Sequence, residues 1–128
     1  MFKRFLFTAA CLGGLSVILG AFGAHALKEV LTEQALTTYE TAVRYQFYYV
    51  FALALAGVLY KTYPNHYIKT AGNLFIAGVI CFSGSLYLLA YMNAAAITGF
   101  KLIGALTPVG GALLIAGWCF LAAGIRKG

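Results

Sequence analysis

Four apolar stretches, near residues 5–27, 42–60, 71–92 and 102–124, account for most of this 128-residue chain. Each is long enough to cross a bilayer, since a hydrocarbon layer of about 30 Å takes about 20 helical residues. Only 9% of the residues are charged and 62% are hydrophobic, whereas soluble domains carry about 25% charged residues. A water-soluble monomer is excluded. So is disorder, which requires little apolar surface and much net charge. In lipid the backbone must satisfy its own polar groups, and a helix does this within one segment. The expected fold is an all-α, integral-membrane four-helix bundle, with residues 1–128 forming a single four-span domain.

Lys3 and Arg4 precede the first stretch, and Ala24-His25-Ala26 close it, in the manner of a signal peptide. The run is longer than the 7–15 residues typical of a signal core, so it is expected to stay as a span. Thr8-Ala9-Ala10-Cys11 follows Arg4 too closely to mark a lipoprotein site. Cys11, Cys81 and Cys119 are odd in number, lack CxxC spacing and fall within apolar runs, where soft packing accounts for them.

The net charge of +6 comes from nine Lys and Arg scattered in ones and twos. That makes no continuous basic face, so no nucleic-acid partner is expected. If four helices cross in turn, Lys3, Arg4, Lys61, Lys69, Arg126 and Lys127 collect on one side. Lys28, Arg44 and Lys101 fall on the other with Glu29, Glu33 and Glu40. The positive-inside rule then places both termini in the cytoplasm, in a plasma (inner) membrane. Tyr39, Tyr45, Tyr48, Tyr49 and Tyr91 are expected at the outer interface, and Tyr60, Tyr63, Tyr67 and Trp118 at the inner one.

Between the first two spans, Leu27, Val30, Leu31 and Gln34-Ala35 recur at helical spacing, which predicts a short surface helix. Thr37 and Glu40 form a capping-box pattern that would start the second long helix. Pro64 and Asn65 punctuate the inner turn. Pro108 either kinks the fourth span, which is preferred, or begins a helix capped by Thr107, leaving a span at the short limit for crossing.

The middle of every span lacks ionisable groups, whose presence in lipid normally marks a transport path. Pumps, ion-coupled carriers and voltage sensors are therefore disfavoured. No HExxH, GxSxG or P-loop spacing appears, so no enzyme activity and no cofactor or metal is expected. What stands out is a shared depth. His25, Arg44, Gln46, Ser83, Ser85 and Thr107 all count to the outer half of the bundle, beside small residues: Gly20, Gly23 and Ala24; Gly84; Gly110 and Gly111. Ser16, Gly20 and Ala24 form a small-xxx-small face suited to close helix contact. Two readings of this layer compete. The preferred one is helix packing, with Ser and Thr bonding across helices and His25 and Arg44 reaching the interface. The other is an outward-facing pocket in which Arg44, braced by Glu40, holds an anionic head group and His25 adds a donor.

Several strings carry a resemblance: Gly20-Ala21-Phe22-Gly23-Ala24-His25-Ala26-Leu27-Lys28, Tyr45-Gln46, Phe82-Ser83-Gly84-Ser85-Leu86-Tyr87-Leu88-Leu89-Ala90, and Thr107-Pro108-Val109-Gly110-Gly111 with Ala116-Gly117-Trp118. In order and spacing they resemble domain-of-unknown-function family 423, the YgdD-like small inner-membrane proteins, with eukaryotic relatives that include transmembrane protein 256. The resemblance covers nearly the whole chain and implies four spans without an assigned activity. It also implies a histidine shortly after the Tyr-Gln pair, where this chain has Tyr49. That departure speaks against a shared two-histidine chemistry and for packing or hydrogen bonding, which a phenol partly supplies. The expected function is a structural or accessory membrane subunit, in a homo-oligomer or a larger complex. The alternative is a binder or conduit for a small or lipid-like molecule through the outer polar layer.

Overall fold

The computed structural model describes residues 1–96 and 101–128. Helix α1 (Lys3–Phe22) runs without a break through a five-residue π turn (Gly23–Leu27) into the short α2 (Lys28–Val30). Helices α3 (Glu33–Thr62), α4 (His66–Ala94) and α5 (Lys101–Lys127) follow, and all four rods are long and apolar enough to span a membrane. The architecture is therefore an all-α membrane bundle. Consecutive rods are antiparallel neighbours: α1 packs on α3, α3 on α4, and α4 on α5. The α3–α4 pair is central, and α1 and α5 form the flanks.

The short helix expected between the first two spans is reduced to the three residues of α2, the last turn of the first rod. Leu31 turns the chain into extended conformation, and Gln34-Ala35 already belong to α3. The helix start expected at Thr37 is corrected as well. Thr32 is the N-cap, its Oγ1 accepting from the Ala35 N–H at 3.1 Å, while the Thr37 hydroxyl donates back to the Glu33 carbonyl inside the helix. Glu33, Gln34, Ala35 and Leu36 include strong helix formers, and a competent cap stands directly before them. At the opposite end Asn65 caps α4 by accepting from the Tyr67 and Ile68 N–H groups, and its amide donates to the Gly124 carbonyl at 3.0 Å. Pro108 lies inside α5, which begins at Lys101, so the fourth rod does not start at the proline.

Each rod turns one narrow face inward. In α3 the buried positions include Ala35, Tyr39, Ala42, Gln46, Val50 and Leu53, and in α5 they are Gly110, Leu114, Gly117, Leu121 and Gly124. Alternating steps of three and four residues keep a helix seam on its neighbour. Lipid tails are as apolar as leucine, so close fit, not burial from water, holds these seams. The fit is most extensive between α4 and α5. A methyl group on Gly110 would come within 2.5 Å of the Phe82 backbone nitrogen, and Gly117 sits under Phe75 and Gly124 under Ile68. Gly72 of α4 likewise receives the ring of Phe5.

Of the residues expected to pack helices, Ser16, Gly23 and Gly110 are buried and do so; the Gly23 turn lies against the Tyr39 ring. Gly20 and Gly111 meet only ordinary contacts, at 3.6 Å from Val43 and 3.9 Å from Phe82 for an added Cβ. Gly84 and Ala24 are corrections: both are exposed, and a Cβ on Gly84 would meet nothing within 4 Å. The aromatic belts need a correction too. Tyr49 and Trp118 were expected at opposite interfaces, yet the Trp118 indole N–H donates to the Tyr49 hydroxyl at 2.8 Å. Each is about 25 Å along its rod from the outer end, so the pair sits in the hydrocarbon, where a polar tip takes a partner from a neighbouring helix.

Candidate functional site

The polar side chains inside the bundle form cross-links between rods. Gln46, on the inward seam of α3, donates from Nε2 to the Leu12 carbonyl of α1 at 3.3 Å and accepts from the Tyr87 hydroxyl of α4 at 2.7 Å. The same Leu12 carbonyl accepts from the Ser16 hydroxyl one turn on. One amide therefore joins three helices. Ser83 donates across from α4 to the Ala42 carbonyl of α3 at 2.8 Å. Ser85 shares a hydrogen bond with Thr107 of α5 and donates to its own helix at Phe82. Nearer the outer end, Tyr39 donates to the Leu19 carbonyl and packs edge-on against Tyr87, and Thr32 donates to Asn93.

This network is complete. Among the described residues, every buried side-chain nitrogen or oxygen has a partner, as the cost of an unpaired polar group in hydrocarbon demands. Of the six residues expected to share a layer, Gln46, Ser83 and Ser85 are buried, Thr107 is half-buried, and these four bond within the bundle. His25 and Arg44 are exposed, as is Glu40. His25 and Arg44 therefore stand outside this network, at the surface of the protein. Equal depth put them beside the layer, and the rotation of their helices turns them outward. Sequence reasoning missed Tyr39 and Tyr87, the phenols that complete the network. The available signal was the Phe82–Ala90 string itself, where Tyr87 follows Ser83 by one helical turn.

A separate concavity lies at the outer end. An apolar cleft of about 380 Å³ opens between the π turn, α2, α3 and α4, lined by Leu27, Val30, Leu31, Tyr39, Tyr87 and Tyr91 together with small residues. Its volume is in the range of small-molecule sites. Neither His25 nor Arg44 lines it. Among the described residues no three His, Cys, Asp or Glu side chains converge as metal ligands would. The chemistry available is hydrogen bonding by amide and hydroxyl groups.

The π turn, the Tyr39–Leu19 bond and the Gln46–Tyr87 bond all fall within residues 19–111, the region matched by a family model described as "Protein of unknown function (DUF423)". This chain belongs to the DUF423 family. Curated relatives in several bacteria match it over nearly their whole length. A UPF0382 membrane protein of Staphylococcus haemolyticus is 41% identical over 119 residues, covering 93% of this chain and 92% of the relative. One from Bacillus subtilis is 36% identical over 120 residues, 93% of each chain. One from Haemophilus influenzae is 35% identical over 127 residues, 99% of this chain and 97% of the relative. No solved structure matches this DUF423 chain.

Proposed function

We propose that this DUF423 protein is a small structural or accessory subunit that acts by packing in the membrane, against copies of itself or a larger membrane complex, without a catalytic step of its own. The observation that carries this reading is the completeness of the internal network: Gln46, Ser83, Ser85 and Thr107 are engaged with other helices of the same chain. The two flanking rods then offer apolar outer surfaces, with Phe7, Val17 and Ile18 of α1 and Leu102, Val109 and Ile115 of α5 exposed. In this proposal the chain sits in the plasma (inner) membrane with both termini in the cytoplasm. Six cations gather at the end that holds the termini, whereas three cations and all three acids lie at the other.

Purification from native membrane in mild detergent tests the reading. A stoichiometric partner or a defined oligomer is the expected result, and a lone monomer from both native and crosslinked membranes overturns it. The second reading, a binder or conduit for a small or lipid-like molecule, is supported by the outer apolar cleft beside Tyr39 and Tyr87. A retained non-lipid ligand whose occupancy falls on Tyr87→Phe would favour it over the first.

A further inference from the structure

The end of the bundle that carries the termini holds six Lys and Arg and no Asp or Glu, since Glu29, Glu33 and Glu40 all lie at the opposite end. Two of these cations share a single ring. The Arg4 guanidinium carbon is 5.9 Å from the Phe2 ring centroid, and Lys69 Nζ is 5.7 Å from it, one approaching from α1 and the other from α4. Phe2 is a fixed platform. Its backbone N–H donates to the Gly57 carbonyl at 2.9 Å, its ring stacks on Tyr60, and Phe5 meets it edge-on. Arg4 is held as well, one nitrogen donating to Asn73 Oδ1 at 2.6 Å.

A guanidinium has five N–H donors and an ammonium three, so both cations keep donors for another acceptor. Two like charges on one ring repel, and an anion between them relieves this. The surroundings indicate the kind of anion. Lys69, Asn73, Ala77 and Ile80 are all exposed on α4 at steps of four, four and three residues, a single stripe that is polar at the membrane surface and apolar further in. Ile80 stands about 17 Å along the helix from Lys69, a depth that an acyl chain reaches and a free phosphate does not use.

We propose that Arg4, Lys69 and the Phe2 platform form a binding site for the phosphate of an anionic phospholipid, whose acyl chain lies along Ala77 and Ile80. Native mass spectrometry of the full chain, released from nanodiscs of phosphatidylglycerol mixed with phosphatidylcholine, tests the site. The wild-type chain is expected to retain phosphatidylglycerol preferentially. Arg4→Gln and Lys69→Gln should each lower its affinity about fivefold, the effect of one basic group at a membrane surface, and Lys69→Arg should restore it. The paired change Lys61→Gln with Lys127→Gln, neither of which faces the Phe2 ring, should hold affinity within about twofold at an ionic strength that screens exposed charges beyond about 8 Å. An equal loss from the paired change at Lys61 and Lys127 would mean diffuse surface charge and overturn the site. So would equal retention of phosphatidylcholine, or displacement of the lipid by inorganic phosphate at matched concentration. Should Arg4→Gln fail to insert, Lys69→Gln and Lys69→Arg, which leave the N-terminal charges in place, decide the question.

Discussion

Replacing Gly110 by alanine asks whether close backbone approach, and not the polar layer, fixes the α4–α5 seam. The added Cβ would lie 2.5 Å from the Phe82 nitrogen and 2.8 Å from its Cα, against the 3.5–4.0 Å at which carbon atoms attract. The obstruction is backbone, so no rotamer change clears it and α5 must back away by about 1 Å. A gap of that size forfeits a quarter to a half of each dispersion contact it opens. The Gly78–Leu114 and Gly117–Phe75 contacts share the seam, so the loss is set at about 3 kcal/mol, the upper part of the overpacking range. Alanine returns about 1 kcal/mol through its better helix propensity, leaving a net destabilisation of about 2 kcal/mol. Gly84→Ala is the internal control. It receives the same propensity gain, and its Cβ meets nothing within 4 Å. The two variants should therefore differ by about 3 kcal/mol, roughly a hundredfold in the unfolding equilibrium. Reversible unfolding in mixed detergent micelles, followed by circular dichroism, measures this difference. Equal stability of Gly110→Ala and Gly84→Ala would refute the reasoning.

Three further outcomes are expected. A double-mutant cycle of Gln46→Leu and Tyr87→Phe should return a coupling of about 0.6 kcal/mol and no more than about 1.7, the span measured for hydrogen bonds in membrane helices; zero coupling would remove Gln46 as a cross-link. Tyr49→Phe takes the acceptor from the chain's one tryptophan and should move its fluorescence to shorter wavelength, while Tyr49→His, which restores a ring nitrogen, should not. An unmoved spectrum for Tyr49→Phe would count against the bond. Cys11 and Cys119 are exposed on the protein but stand about 12 Å inside the rods from the terminal end. In intact bilayers they should resist a membrane-impermeant maleimide, which needs a thiolate, and rapid labelling would mean a water-filled path beside them.

The extent of the spans is plain in the sequence because twenty-residue apolar runs have few other uses. So is the membership of Gln46, Ser83, Ser85 and Thr107 in an internal layer, since uncharged polar groups in lipid seek a bundle interior. Rotation about each helix axis is harder to read. Gly84 and Gly110 look alike in a string of small residues, yet one faces outward and the other touches backbone. Both faces of a membrane helix are apolar, so amphipathic periodicity, which identifies the inner face in water, is weak here. His25 and Arg44 share the depth of the layer but, being exposed, not its face. The recurring Gly110-Leu114-Gly117-Leu121-Gly124 seam was the periodic signal on hand for the last rod. Tyr49 and Trp118 show the opposite error, in which a rule about interfacial aromatics overrode a count of depth.

Because the rods pack chiefly on their neighbours in chain order, over interfaces that grow from the first pair to the last, the molecule is laid out like a folding screen. Its hinges are unequal. Loss of the last panel opens one joint, the most extensive of the three, whereas loss of α4 opens that joint, a second one and the seat of Phe5 in Gly72 at once. Deletion of α4 should thus harm this protein more than removal of α5.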